Sequence, residues 1–143
     1  MKEYTRMDSF EDIKNFLYGG NSTITLRSLQ TGKHYTYKVS ISDNNEIFFV
    51  SVLSGSDNTI NYSYIGIIIK DKRFTLTKKS KVNADSISFK AFDYFYKQIL
   101  SGKINNKLEV LHSGTCAKCG RKLTTPESIR CGFGPICKTK INK

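Results

Sequence analysis

A chain of 143 residues with 38% hydrophobic and 12% aromatic side chains can bury one real core, which excludes an intrinsically disordered polymer. Its 23 Lys and Arg outnumber 12 Asp and Glu, giving a formal net charge of +11. Such an excess selects polyanionic partners (nucleic acid, an acidic membrane face, an acidic protein surface), although part of it also serves as solubilising lysine on a solvated face.

The first predicted element is a short helix. Ser9 stands at its N-cap with Asp12 at the capping-box position, Phe10, Ile13, Phe16 and Leu17 share one face, and Gly19-Gly20 stops it. A run of strands follows. STITLRS alternates, QTGK turns, and HYTYKVSI places Tyr35, Tyr37, Val39 and Ile41 opposite Thr36, Lys38 and Ser40. After the turn SDNN, EIFFVSVL is apolar on both faces and reads as a central strand. SGSDN turns into YSYIGIII, and Asp71-Lys72 makes a tight turn into RFTLT. A stronger helix lies in DSISFKAFDYFYKQILSG, with Phe89, Phe92, Tyr96 and Ile99 at helical spacing, Ser86 or Asp85 opening it and Gly102 closing it. One more strand, KLEVLH, leads into the cysteines. Short connections favour an antiparallel meander. The expected fold is α+β: a meander sheet of about five to six strands with two helices on one face, plus a small C-terminal zinc module. The expected division is 1–111 for the α+β part and 112–143 for a module packed on it, the two together countable as a single domain.

The segment HSGTCAKCGRKLTTPESIRCGFGPIC holds all four cysteines of the chain. Cys116-Ala-Lys-Cys119-Gly120 has the form of a zinc knuckle: two intervening residues let both sulfurs reach one ion, and the Gly permits the left-handed conformation that aims N–H groups at sulfur. Pro126 suits the first position of a helical turn that Thr125 caps, Glu127 favours its positive end, and Gly132 ends it. Further thiols follow 12 and 18 residues after Cys119, at Cys131 and Cys137, which points to zinc. A closed four-ligand site is structural. The His/Glu arrangement of a catalytic zinc is not present, nor is any other defensible catalytic set, so no enzyme is expected. Spacing alone selects the four cysteines, with His112 as a fifth candidate.

No apolar run approaches a membrane span, and the N-terminal MKEYTRMDSFEDIKNF lacks one of signal-peptide length. Clustered cysteines in an unexported chain favour metal over disulfides, so a reducing cytoplasm is the expected compartment.

The cysteine segment resembles the C-terminal signature of a family of small, functionally uncharacterised bacteriophage proteins, written H-x3-C-x2-C-G-R-x-L-T-x-P-x-S-I-x2-G-x-G-P-x-C. The resemblance extends upstream to GGNSTITLRSLQTGKHYTYKV, FFVSVLSGSDNTINYSYIG and SKVNADSISFKAFDYFY, and so covers about residues 16 to 138. It implies phage origin, and hence the cytoplasm of an infected bacterial host, and a zinc-finger-like C-terminus; it implies no activity. Carried over residue by residue, it implies the ligands His112, Cys116, Cys119 and Cys137, with Cys131 as a departure: an extra thiol or a replacement for His112.

Two groups of cations stand out. Lys70, Lys72, Arg73, Lys78, Lys79 and Lys81 crowd one hairpin and its exit; Arg121, Lys122, Arg130, Lys138, Lys140 and Lys143 surround the metal module. Together they suit a phosphate-tracking surface, or two solvated edges kept from aggregating. Tyr35, Tyr37, Tyr62 and Tyr64 suit either a stacking platform for single-stranded bases or the core beneath a helix. The loops Gly19-Gly20-Asn21 and Ser54 to Asn58 suit turns better than phosphate binding. His34 has no assigned role. The expected function is that of a phage accessory protein, a basic zinc-stapled binding module engaging nucleic acid or a nucleic-acid-bound complex. The alternative is an inhibitor of a bacterial defence effector, of anti-CRISPR type or similar, that binds a host nucleic-acid-processing protein directly. Neither reading fixes an oligomeric state.

Overall fold

A computed structural model describes residues 5–43, 46–53, 62–104, 107–112, 114–120, 122–123 and 126–134. In chain order the elements are β1 (Thr5–Met7), α1 (Phe10–Leu17), β2 (Asn21–Ser28), β3 (His34–Ile41) and β4 (Ile47–Leu53). Then come β5 (Tyr62–Ile69), β6 (Arg73–Thr75), α2 (Ile87–Ser101), β7 (Leu108–His112) and α3 (Pro126–Cys131). The fold is α+β.

The helices begin and end where local chemistry requires. Ser9 Oγ accepts from the Asp12 N–H at 3.3 Å to cap α1, and Ser86 Oγ accepts from the Phe89 N–H at 3.3 Å to cap α2. Gly102 closes α2 in the left-handed conformation, its N–H donating to the Gln98 and Ile99 carbonyls.

The strands form one antiparallel seven-stranded sheet in the order β1-β7-β2-β3-β4-β5-β6. Five consecutive strands, β2 to β6, make the expected meander. The count of five to six is corrected to seven, and the sheet is not a meander throughout, because β7 returns to lie between β1 and β2. The strand missed in the sequence is β1: three residues with one apolar side chain show no alternation, and its strand character comes from pairing Thr5 to Met7 with His112 to Val110, about a hundred residues away.

Both long helices cover the same face. Ile13, Phe16 and Leu17 of α1, and Phe92, Phe95, Tyr96 and Ile99 of α2, pack in one buried cluster with Ile24, Leu26, Tyr37, Val39, Phe48, Val50, Ile68 and Val110. Tyr37 lies against Phe92, with ring centroids 4.9 Å apart, and its hydroxyl donates to the Ser88 carbonyl at 2.7 Å. Burial pushes the Tyr37 phenol above its ordinary pKa, as it does for Tyr18 and Tyr96.

The other face of the sheet divides in two. Toward β1 it carries a charged network: Glu109, buried, accepts from Arg27 and, at 3.3 Å, from Arg6. Thr25 and Thr36, cross-strand partners, hydrogen-bond at 2.8 Å beside it. Toward β5 it is apolar and aromatic, with Phe49 46% exposed. The strand β4 is central in the sheet, as expected, and on its second face Phe49 is exposed while Ile47 and Leu53 are part-buried. No helix among the described residues is long and apolar enough to cross a membrane.

Candidate metal-binding knuckle and basic surface

The segment from Gly114 to Leu123 folds back on itself: Thr115 and Lys122 form an antiparallel bridge, and the Leu123 N–H donates to the Gly114 carbonyl at 2.8 Å. At its tip, Gly120 takes φ +78° and donates its N–H to the Cys116 carbonyl at 2.9 Å. This turn directs the Lys118 N–H at Cys116 Sγ (3.4 Å), and Gly134 adds a second N–H from outside the turn at 3.5 Å. Burial alone raises the Cys116 thiol, but the N–H groups of Cys119, Gly134 and Lys118, with the Cys119 thiol, bring it net down to about 7. Backbone dipoles converging on sulfur favour the thiolate, the form that binds metal.

The knuckle is seated on the body of the protein directly and through Gly132. Gly19 lies so close to Ala117 that an added Cβ would stand 2.6 Å from its Cβ and 2.7 Å from its carbonyl oxygen. The Asn21 N–H donates to that same carbonyl at 2.7 Å, and the Ala117 N–H donates to the Gly132 carbonyl at 2.9 Å. Gly132 in turn sits at φ +82° against Phe16, where a Cβ would come within 2.1 Å of the ring. Phe16 is buried between His112 (5.4 Å between centroids) and Phe133 (6.4 Å). The Gly19-Gly20-Asn21 loop thus receives the knuckle, which accounts for its glycine without any phosphate.

His112 is fully buried at the end of β7. Its Nε2 hydrogen-bonds the Ile129 carbonyl of α3, which requires the proton on Nε2, and its Nδ1 accepts from the Gly114 N–H at 3.0 Å. Burial holds its pKa below the ordinary histidine value, with the Ile129 carbonyl opposing. Cys131 is buried, and its thiol donates to the Phe133 carbonyl at 3.7 Å. Cys137 lies outside the described residues. Among the described residues no three His, Cys, Asp or Glu side chains group so as to hold a metal ion.

The cations are distributed as follows. Lys70, Lys72 and Arg73 are exposed on the β5–β6 hairpin, and Lys70 Nζ sits 5.2 Å from the centre of the Tyr18 ring. Lys78, Lys79 and Lys81 are exposed on the segment that follows β6; Lys122 and Arg130 are exposed on the cysteine module. Arg121, Lys138, Lys140 and Lys143 lie outside the described residues, as does Ser54 to Asn58. The sequence reading missed Lys118, exposed on the knuckle, and Lys14, 3.8 Å from Asp71. Two consecutive residues at the end of α1 join the two basic regions. The Tyr18 hydroxyl accepts from the Asp71 N–H at the hairpin tip (3.3 Å), while Gly19 packs on Ala117 of the knuckle. The Tyr96 hydroxyl completes this junction, bonding Tyr18 at 2.7 Å and the Asp71 N–H at 3.1 Å.

Compared with known proteins, residues 107–142 match the model of a family of unknown function, DUF6011. The match covers β7, the knuckle and α3. No curated protein and no solved structure matches the chain.

Proposed function

We propose that this is a phage accessory protein: a basic, zinc-stapled binding module that engages nucleic acid or a nucleic-acid-bound complex from the cytoplasm of the infected host. The observation that carries the reading is the junction at Tyr18-Gly19, which ties the Lys70–Lys72 hairpin and the Lys118–Lys122 knuckle to one end of α1. Cations anchored on two rigid elements track a phosphate backbone better than scattered ones do.

The metal reading rests on the knuckle. N–H groups converging on Cys116 Sγ fit a thiolate ligand, and the three residues from Gly134 to Cys137 can span up to about 11 Å, enough chain for Cys137 to serve the same ion. The ligand set proposed is His112 Nδ1, Cys116, Cys119 and Cys137. The His112 Nε2–H bond to a backbone carbonyl is the arrangement that orients a metal-binding imidazole, and Nδ1 would exchange only the Gly114 N–H for the ion. Zinc there would be structural, holding the knuckle closed.

The test is capture of the tagged protein from infected cells with and without nuclease, alongside mobility shifts with purified DNA and RNA at graded salt. Nucleic acid retained on the protein, and shifts that weaken steeply with salt, support the reading. A nuclease-resistant protein partner with no affinity for free nucleic acid would instead favour an inhibitor of a host nucleic-acid-processing enzyme.

A further inference from the structure

We infer that the open face of the sheet at β4 and β5 is a binding site for single-stranded nucleic acid, with Phe49 and Tyr64 as the stacking surface; this rests on the nucleic-acid reading above and gives it a location and a substrate class.

The register places these residues in rows. One row across the face runs Lys38, Ser51, Tyr64, and the next runs Ser40, Phe49, Ile67, Thr75. Phe49 and Tyr64 meet edge to face, with centroids 6.3 Å apart. They form the shared wall of two shallow depressions of about 570 and 560 Å³. No described helix packs on this side.

The cations beside the pair are held in place. The chain after β6 continues along the edge of β5, where the Lys81 N–H donates to the Tyr64 carbonyl at 2.8 Å. The Tyr64 hydroxyl bonds Thr77 Oγ1 at 2.9 Å, and Ser80 Oγ accepts from the Thr77 N–H at 2.9 Å, closing a tight turn. Lys78, Lys79 and Lys81 therefore project from a turn clamped to one of the two stacking residues. Across the face Lys38 lies 4.8 Å from the Tyr62 ring centre, two strands away from Tyr64 by register. Among the described residues lining the two depressions, Asp43 is the single acid against Lys78, Lys79 and Lys81.

An aromatic pair rimmed by lysines suits a polyanion that carries flat apolar groups. A duplex hides its bases in the stack and would meet only the lysines, whereas a single strand offers base faces to Phe49 and phosphates to the turn. The same chemistry explains why β4 is apolar on a face that nothing described covers.

The test is fluorescence anisotropy of a labelled oligo(dT) and a labelled duplex against the wild-type protein, Phe49→Ala and Phe49→Tyr. The single strand is expected to bind tighter than the duplex. Phe49→Ala should weaken the single strand about tenfold and leave the duplex unchanged, while Phe49→Tyr, which keeps a ring, stays near wild type. Phe49 is half-exposed, and an unchanged circular dichroism spectrum establishes that the Ala variant is folded. Equal binding of oligo(dT) by wild type and Phe49→Ala, or a preference for duplex, overturns the stacking site and leaves the basic-surface reading intact. Binding of neither probe at low salt overturns both.

Discussion

Replacing Gly132 by Ala tests how the cysteine module is joined to the body. The left-handed backbone at φ +82° costs a non-glycine residue about 1–2 kcal/mol. The new Cβ would also stand 2.1 Å from Phe16 Cδ1, and Phe16, buried between His112 and Phe133, has no free space to turn into. Overpacking of this kind adds about 1–3 kcal/mol. The total is about 2–5 kcal/mol, equivalent to roughly 7–17 °C in Tm for a domain of this size. Gly102→Ala is the matched control: φ is +89°, but nothing lies within 4 Å of the added Cβ, so it should cost about 1–2 kcal/mol and no more. Thermal unfolding followed by circular dichroism separates the two. Adding Phe16→Leu to Gly132→Ala should recover about 1 kcal/mol, because the two positions share one contact. If Gly132→Ala is no more destabilised than Gly102→Ala, the module does not sit on α1 as described.

Other substitutions probe the remaining joints. Tyr96→Phe removes the hydroxyl that bonds Tyr18 and the Asp71 N–H, and should cost about 1–2 kcal/mol by urea denaturation while weakening nucleic-acid binding through the basic hairpin. Glu109→Gln removes the carboxylate that Arg6 and Arg27 share, Arg6 keeping Asp8 at 3.1 Å; both arginines are half-exposed, so the loss should stay near 1 kcal/mol, and a loss above about 3 kcal/mol would mean the network is sealed from water. Metal analysis should find one zinc per chain, lost in Cys116→Ser and His112→Gln and kept in Cys131→Ser, with chelation lowering Tm. Loss in Cys131→Ser and retention in His112→Gln would put Cys131 in the site instead.

The helices and the five consecutive strands were legible because their signals are local. Ser9 caps the first helix as expected, Ser86 rather than Asp85 caps the second, and Asp71 takes φ +61° in the turn expected of it. What escaped was set by partners distant in the chain. Thr5–Met7 becomes a strand only by pairing with residues near 110. Tyr37 and Tyr64, both at alternate positions, part to opposite faces; Tyr37 goes under α2, and a bulge between Val50 and Ser51 shifts the register in which Tyr64 pairs. The Gly120 turn was readable from Cys-x-x-Cys-Gly, since a two-residue spacing and a following glycine dictate the geometry. The role of Gly19 was not, since only packing against Ala117, nearly a hundred residues on, gives it one. The central position of β4 was legible in its two apolar faces, and it does lie between β3 and β5; the exposure of Phe49 on the second face was not, since the pattern does not say which face the helices cover.

The central claim is that a fixed set of lysines holds a nucleic-acid backbone, and the salt dependence of oligo(dT) affinity tests it most directly. Four phosphate contacts on the β4–β5 face, from Lys38, Lys78, Lys79 and Lys81, predict a slope of log K against log salt of about −3 for a single strand, and contacts from the Lys70–Lys72 hairpin or the knuckle would steepen it. The triple variant Lys78→Ala, Lys79→Ala, Lys81→Ala should flatten the wild-type slope by about 2. A wild-type slope near zero, or a triple variant that keeps the wild-type slope, would contradict the account.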